Sequence, residues 1–269
     1  MQSTNIMEYE RIPFHNTSFD CPEQSQLEVF ITQDPIILSK AKKLRLKFHA
    51  NYLANSMTKQ SFKNNTLQSK ELIKQQEIII HDGYDSFAEH LVIRNKHDDS
   101  IVAYVRLIDT YTAYKIGGYY CETRFNLNHL FNKQTFYMEM SRLVLDQAYN
   151  STKLAKLMWS GIIQHAKSKG VDSIFGSLSL SLEHEAKTYA LLNYLKRNHM
   201  SAYDYRVVPY QILPDKSRLK NTVHRTKNPL LDYFFVQGAK LCGDAYWNRD
   251  FNSAELFLHY PIQFDEQLL

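Results

Sequence analysis

The stretch FYMEMSRLVLDQAYNSTKLAKLMWSGIIQHAKSKGVDSIFGSL, residues 136–178, decides the fold. Its first part, 136–145, and its last part, 171–178, have the apolar and β-branched composition that predicts strands. Between them, apolar residues recur at helical spacing over 154–169, and the predicted helix stops at Gly170, a residue type typical of helix C-termini. A strand, a helix and a strand in this order indicate an α/β architecture.

Elements on both sides of this stretch extend the same architecture. Upstream, we predict a strand over 27–32, a helix that starts at Asp34-Pro35 and reaches about Ala54, and a hairpin of strands over 90–95 and 101–109. Downstream, we predict a helix over 183–198, a short strand after Ser201, a helix near 230–241 and a final strand over 254–260. The order predicts one mixed sheet flanked by helices on both faces, with a C-terminal α/β extension.

The chain of 269 residues is long enough for one large domain with a substantial core. We divide it into an N-terminal arm over 1–26, a core over 27–200 and a C-terminal part of the same domain over 201–269. The segment over 56–76 is rich in Lys, Gln and Asn, which predicts a mobile insert or a solvated helix, and a short apolar run follows at 78–80.

Composition excludes several classes of protein. The sequence contains no run of about 18 apolar residues and no apolar core of signal-peptide length near Met1, so we expect no membrane-spanning helix and no secretion signal. Three widely spaced cysteines form neither a disulfide framework nor a metal-ligand cluster and favour a reducing cytoplasm. The net charge of +4 is too small to indicate a nucleic-acid-binding protein.

Basic residues are concentrated in two segments, 40–47 and 216–227. Each segment is interpreted either as a solvated face or as a docking surface for an acidic partner.

Charged residues inside apolar strands are the main candidates for a functional site. Arg106 lies within IVAYVRLI, and Glu139, Ser141 and Arg142 lie within FYMEMSRLVL. A charge buried there costs free energy unless it is paired. Since side chains alternate along a strand, we expect Glu139 and Ser141 on one face and Arg142 on the other.

Two further polar clusters accompany these strands: Arg45 with Phe48 on the first helix, and Asp82 with Asp85 before the hairpin. Two interpretations stay open for all four clusters. The charges form a satisfied internal ion network, or the same network shapes an active site in which a buried carboxylate serves as a base.

The helix that follows the quoted strand begins at 150–153, Asn-Ser-Thr-Lys. Its backbone N–H groups and helix dipole suit a phosphate, although Ser and Thr are also ordinary helix caps. The sequence contains no Gly-rich phosphate loop, and the histidines His49, His81, His90 and His97 are too loosely spaced for a zinc site, which favours surface or structural roles for them.

Several ordered motifs resemble the ornithine-lipid N-acyltransferases and their N-acyl amino acid synthase relatives. These motifs are YDSFAEHLVIRN, IVAYVRLI, GGYYCETRFNL, FYMEMSRLVLD, the helix–strand run over 157–180 and the tail over 229–258. The acyl-homoserine-lactone synthases share part of the pattern, namely the Arg and Phe of the first helix, two aspartates, a strand arginine and Glu-x-Ser-Arg. Together the motifs cover about residues 27–260.

This resemblance implies a GNAT-type acyltransferase that moves a long-chain fatty acyl group, with or without a 3-hydroxyl, from acyl carrier protein to the α-amine of an amino acid. Ornithine is the expected acceptor. The implied catalytic residues are Glu139 as base, Ser141 and Arg142. The implied substrate-binding residues are Arg45, Phe48, Asp82, Asp85 and Arg106. Residues expected at the phosphopantetheine are Leu143, Leu145, Ser151, Thr152 and Lys153.

The superfamily's pyrophosphate loop, Arg/Gln-x-x-Gly-x-Gly/Ala, is missing, and residues 150–155 stand in its place. A carrier-bound phosphopantetheine would need that loop less than coenzyme A would. We therefore expect acyl carrier protein as donor, with acyl-CoA as the alternative, and no tightly bound cofactor. Carrier proteins are acidic, so we expect docking on Lys42, Lys43 and Lys47 of the first helix.

Three other functions remain as alternatives: an acetyl-CoA-dependent N-acetyltransferase, a signal synthase with a neutral acceptor, and a non-enzymatic binding protein on the same scaffold. We expect a cytoplasmic protein that contacts the inner face of the membrane peripherally, since a long-chain product must enter a bilayer.

Overall fold

The computed structural model describes residues 26–57, 83–131, 135–214 and 228–263. An eight-stranded mixed sheet runs in the order β1-β2-β3-β5-β6-β10-β8, with β9 also paired to β10, and β4 and β7 form a separate two-stranded ladder. The strands are β1 (Leu27–Thr32), β2 (Glu89–Asn95), β3 (Ile101–Asp109), β4 (Phe125–Asn126), β5 (Tyr137–Leu145), β6 (Ser173–Ser181), β7 (Val208–Pro209), β8 (Lys240–Leu241), β9 (Tyr246–Asn248) and β10 (Ser253–Pro261).

Five α-helices accompany these strands within the described ranges. They are α1 (Pro35–Met57), α2 (Thr110–Ile116), α3 (Ser151–Ser168), α4 (Glu185–Asn198) and α5 (Pro229–Val236). Their starts follow ordinary capping chemistry. The Asp34 carboxylate accepts from the N–H of Ile36 at 2.7 Å, and the Asn150 side chain accepts from the N–H of Lys153 at 3.1 Å.

The two faces of the sheet carry different helices. On one face α1 buries Ala41 and Leu44 against Phe30, Val92 and Tyr104. On the other face α3 buries Met158 and Ile162 against a second apolar cluster, in which Leu91 and Val105 come from the strands. Because strand side chains alternate, Tyr104, Arg106 and Ile108 face the α1 side, and this face carries the polar residues described below.

Strands β5 and β6 run parallel and then separate. They are paired from Tyr137 with Ser173 to Met140 with Gly176, but each strand continues for five more residues. Beyond this point β5 stays with β3 and β6 stays with β10. The sheet therefore opens a cleft next to Ser141.

A β-bulge interrupts β5 at the mouth of this cleft. Tyr104 pairs with Val144 and Arg106 pairs with Ser141, so β5 holds one residue more than β3 between these pairs. Arg142, inside the bulge, has a φ of 58°, a left-handed value that costs free energy for a residue with a side chain.

The predicted mixed sheet with helices on both faces is confirmed. The strand–helix–strand unit over 136–178 and the hairpin over 89–109 are present, with bounds shifted by one to three residues. Strands β8, β9 and β10 extend the sheet through β6. The division into an arm, a core and a C-terminal part stays a prediction.

Two sequence predictions about this fold were wrong. The helix predicted near 230–241 ends at Val236, since Gly238 turns the chain with a φ of 105° and the segment continues into β8. Arg142 does not face away from Glu139 and Ser141. The bulge resets the alternation, and the Arg142 guanidinium lies over the Tyr120 ring together with that of Arg106. The polar segment over 56–76, apart from its first two residues, and the run at 78–80 lie outside the described residues.

Candidate active site

A buried ion triad lies between α1 and the sheet. Each oxygen of the Asp85 carboxylate takes one guanidinium, Arg45 Nη1 at 2.9 Å and Arg106 Nη1 at 2.9 Å. Arg45 and Arg106 are 1% and 0% exposed, and Asp85 is 8% exposed. Two cations share one anion here, so removing the anion would leave two buried charges uncompensated.

Two uncharged side chains, His90 and Tyr104, support the turn that carries Asp85 of the triad. His90 Nε2 lies 2.9 Å from the Asp85 carbonyl oxygen, and His90 Nδ1 lies 2.9 Å from the Tyr104 hydroxyl. Burial lowers the pKa of His90 and raises the pKa of Tyr104 to about 12. Both rings therefore stay uncharged near neutral pH, and they fix the turn that carries Asp85.

Arg106 connects the triad to β5. Its Nε donates to the Ser141 hydroxyl at 2.9 Å, and Ser141 is the first β5 residue beyond the last pair with β6. The triad thus holds the strand at the point where the cleft opens.

Glu139 lies two residues earlier on the same face of β5 and is fully buried. Its two oxygens accept the backbone N–H groups of Tyr120 at 2.7 Å and Cys121 at 2.8 Å. Burial raises the pKa of Glu139 above the ordinary glutamate value, although the Cys121 thiol, the Arg106 guanidinium and the two N–H groups favour the charged form. A carboxylate with a raised pKa beside a cleft can take up a proton during a reaction.

Three arginine side chains contact the ring of Tyr120. The guanidinium carbons of Arg106, Arg124 and Arg142 lie 4.9, 4.4 and 4.9 Å from its centroid. The edge of Tyr84 closes a further side, with centroids 5.6 Å apart. Cations stack favourably on an aromatic face, and these contacts offset part of the repulsion among three like charges at one ring.

A second buried acid, Glu255, lies across the cleft and pairs with Arg124, one of the arginines at the Tyr120 ring. Glu255 on β10 is 4% exposed, and its Oε2 lies 2.9 Å from Arg124 Nε. Its other oxygen accepts from Asn248 Nδ2 at 2.6 Å. Burial lowers the pKa of Arg124, but the Glu255 carboxylate and the Tyr120 hydroxyl more than offset this and raise it. The site therefore spans both halves of the open sheet.

Backbone donors line the β5 side of the cleft. The N–H of Asp146 donates to the Val102 carbonyl on β3 at 2.8 Å. Since successive strand residues direct their N–H groups to opposite sides, that of Leu145 is directed away from β3, toward the side from which β6 has separated. Leu143 lies in the bulge, where this alternation is interrupted, so a role for its N–H group stays a prediction. An N–H donor in a cleft can stabilise a negatively charged oxygen.

The other predicted site residues are less closely associated. Phe48 is 37% exposed on α1, and Asp82 lies outside the described residues. Thr152 and Lys153 lie in the first turn of α3, behind the Asn150 cap, as does the backbone of Ser151. The cap of this helix is Asn150 and not Ser or Thr, and phosphate binding there stays a prediction.

Sequence reasoning missed Tyr120, Arg124, Asn248 and Glu255. A signal for Glu255 was present, because SAELFL places a carboxylate inside an apolar strand just as IVAYVRLI places Arg106. Tyr120 and Arg124 gave no comparable signal, since they lie in a short 3₁₀ turn and directly after it.

Within the described ranges, no helix is both long enough and apolar enough to cross a membrane. The same residues include no cluster of His, Cys, Asp or Glu that suits a metal ion.

A comparison with known protein families matches part of the chain. A family model described as "Acetyltransferase (GNAT) domain" matches residues 59–160, which include β2, β3, β5 and the start of α3. The mixed sheet with its divergent strand pair has the predicted GNAT fold, and this match, which covers less than half of the chain, supports an N-acyltransferase enzyme.

Curated relatives of the chain carry a more specific name than the family model does. The chain is 22% identical to an L-ornithine N(alpha)-acyltransferase from Agrobacterium fabrum (strain C58) over 196 residues, 67% of each chain. It is 23% identical to a protein of the same name from Brucella abortus (strain 2308), over 72% of this chain and 74% of that one. The expected resemblance to ornithine N-acyltransferases is thereby confirmed.

Among solved structures, an N-acyl amino acid synthase from uncultured soil microbes, FeeM, covers 87% of this chain at 10% identity with a TM-score of 0.42.

Proposed function

We propose that the protein transfers a long-chain fatty acyl group from acyl carrier protein to the α-amine of ornithine. The observation that carries this proposal is the cleft between β5 and β6, which opens beside the buried carboxylate of Glu139. The names of the relatives from Agrobacterium fabrum and Brucella abortus support the acceptor.

In the proposed reaction the neutral α-amine attacks the thioester carbonyl, an N–C bond forms and the C–S bond breaks. The amine must lose a proton, and Glu139 receives it. Because Glu139 is fully buried and both its oxygens hold backbone N–H groups, the proton reaches it through an intervening water molecule. Glu139 then returns this proton, through the same water molecule, to the departing phosphopantetheine thiolate, which leaves as the thiol while the carboxylate is restored.

The oxygen of the tetrahedral intermediate needs hydrogen-bond donors inside the cleft. We assign this role to the N–H groups of Leu143 and Leu145; the direction of the Leu145 N–H group follows from the Asp146 to Val102 hydrogen bond. The phosphopantetheine arm would run along these residues toward Ser151, Thr152 and Lys153 at the start of α3.

The buried triad positions the site and does not bind the acceptor. Both oxygens of Asp85 are occupied by Arg45 and Arg106, and all three side chains are at most 8% exposed. Recognition of the second amine of ornithine would therefore depend on Asp82, which lies outside the described residues.

Acyl carrier protein would dock on the exposed side of α1. Arg45 faces the interior, whereas Lys43 and Lys47 are exposed and Lys42 is half-buried. Lys47 also pairs with Asp146 at the end of β5, 3.1 Å away. This basic surface is thereby tied to the strand that lines the cleft, which suits an acidic carrier that delivers its arm there.

The proposal is tested by mass spectrometry of lipid extracts from a host that lacks aminolipids. Expression of the wild-type chain should produce N-acyl-ornithine, and expression of Glu139→Gln at equal protein level should not. A new N-acyl lipid built on a neutral amino acid would overturn the acceptor, and the absence of any new N-acyl product would overturn the reaction.

A further inference from the structure

The three guanidinium groups around Tyr120 do not have equivalent surroundings. Arg106 is 0% exposed and is held by Asp85 and Ser141, so it lies out of reach of a substrate. Arg124, with a side chain 16% exposed, and Arg142, which is partly exposed, border the open side of the same ring.

Arg142 lies at the mouth of the cleft because of the bulge. It is the second β5 residue beyond the last pair with β6, and its left-handed backbone turns its side chain to the face of Glu139. Strain of this kind persists where the surrounding structure holds it, and it is concentrated at functional sites.

Arg124 directly follows the 3₁₀ turn that carries Tyr120, and an ion pair with Glu255 on β10 restrains its guanidinium. Arg124 Nε lies 2.9 Å from Glu255 Oε2 without a hydrogen bond between them, and Nη1 donates to the Thr123 hydroxyl at 3.1 Å. Asn248 in turn fixes Glu255. A guanidinium oriented before binding loses less conformational entropy when it takes a planar anion.

The arrangement of cations at this ring favours an anion. The guanidinium carbons of Arg106, Arg124 and Arg142 all lie within 4.9 Å of the Tyr120 ring centroid. Three like charges this close repel one another, and an anion bound beside the two partly exposed ones relieves that repulsion.

We infer that Arg124 and Arg142 together bind the carboxylate of the α-amino acid acceptor at the ring of Tyr120. The inference rests on the proposed N-acyl transfer and assigns the group by which the acceptor is recognised. In an α-amino acid the amine and the carboxylate share one carbon. A carboxylate held here places the amine beside Ser141, where the cleft begins.

The test compares an amino acid with its carboxamide, which keeps the amine and lacks the negative charge. The acceptor is the amino acid that the wild-type enzyme acylates fastest in a panel that includes ornithine. The wild-type enzyme should show a KM for the acid about tenfold or more below that for the amide, because hydrogen bonds to a charged group are strong.

The decisive variant is Arg124→Gln with Glu255→Gln, which removes the cation and its buried acid together. A neutral pair remains, so no buried charge is left alone. We expect the KM for the acid to rise about tenfold or more and that for the amide to change little, so that the two converge, while the KM for the acyl donor stays constant. Lys40→Gln with Asp99→Asn, which removes a surface ion pair, is the matched control and should keep the wild-type discrimination.

An unchanged ratio of acid to amide in the folded double variant would overturn the inference, because a purely structural pair affects both acceptors equally. If the double variant does not fold, calorimetric binding of the acid and the amide to the wild-type protein decides. Equal affinities would refute recognition of the carboxylate, and preference for the acid would support it. Failure of the proposed function is a separate result, in which the wild-type enzyme acylates no amine. Calorimetry still measures in that case whether the protein binds the acid more tightly than the amide.

Discussion

At the residue scale, the main finding is that charged side chains inside apolar strands form one connected site. Arg106 and Glu139 could be singled out from the sequence because an unpaired charge in such a strand is costly. Asp85 was also singled out, as a member either of an internal ion network or of an active site. Tyr120 was not, since it comes from a turn whose place in space depends on the whole fold.

Replacing Glu139 with Gln should reduce kcat at least about 100-fold, the usual contribution of a general base. In the wild-type enzyme, activity should rise with pH through a midpoint above the ordinary glutamate pKa, because burial raises the pKa of Glu139 and the base acts when ionised. The residual activity of the Glu139→Gln variant should not show this decrease at low pH.

Glu122→Gln provides the matched control for this measurement. Glu122 Oε2 accepts the N–H of Tyr119 at 2.6 Å and so caps the same 3₁₀ turn that Glu139 holds. An equal loss of kcat in both variants would mean that Glu139 only supports the turn.

Replacing Asp85 with Asn should lower the free energy of unfolding by about 3–5 kcal/mol, because Arg45 and Arg106 would remain buried without their shared anion. Urea denaturation measures the loss. Asp99→Asn removes an anion that pairs at the surface with Lys40 and Arg94, and its loss should be much smaller. Equal losses would show that the triad is no more important for stability than a surface pair.

At the element scale, the prediction of strands and helices was limited by irregular backbone. The period of apolar residues located β5, α3 and β6, but the bulge at Arg142 changes the side-chain alternation without changing the composition. Helix α2 was missed because TYTAYKI lacks a helical apolar pattern. It is held by the Asp109 cap, whose carboxylate accepts from the N–H of Thr112 at 2.8 Å, and it ends at Gly117 with a φ of 87°.

Gly176 occupies the last position at which β5 and β6 are paired, and we expect it to be essential for the cleft. A Cβ added there would overlap the Met140 carbonyl oxygen, which belongs to the backbone and cannot turn away. Gly176→Ala should therefore cost about 1–3 kcal/mol of stability and reduce kcat, since the strands would separate one pair earlier.

Gly83→Ala is the control, because a Cβ at Gly83 meets no atom within 4 Å and should change stability by less than about 0.5 kcal/mol. A Gly176→Ala enzyme with wild-type stability and turnover would refute the close approach of the two strands.

At the scale of the whole molecule, the sequence predicted the class of sheet but not how its two halves share the site. The C-terminal strand β10 was predicted, yet its Glu255 joins Arg124 across the cleft only because β10 pairs with β6 over nine residues. Contacts between segments this far apart in the chain follow from strand order, which periodicity alone does not specify.

The stability of the whole molecule should fall in mild acid because of His259. Its ring is 3% exposed and stacks on Tyr205, and burial lowers its pKa to about 4. Above about pH 6.5 the ring is neutral in both states, and as pH falls from there to about 4 the unfolded chain takes up the proton first. About 3 kcal/mol of stability is lost over this window.

His259→Phe keeps the stacked ring and removes the titration, so the difference in unfolding free energy between pH 6.5 and pH 4 should shrink by about that amount. His97→Asn, which changes an exposed histidine, should leave the pH dependence as in the wild type. Identical pH dependence in wild type and His259→Phe would contradict a neutral buried ring.

The most direct test of the central claim is the initial rate of N-acylation by the purified protein. The donors are long-chain acyl carrier protein and the matching acyl-CoA, each offered with ornithine and with neutral amino acids. We predict transfer from acyl carrier protein to ornithine at a higher kcat/KM than from acyl-CoA, with a KM for the carrier protein that rises as salt is added. Transfer to no amine from either donor would contradict the account.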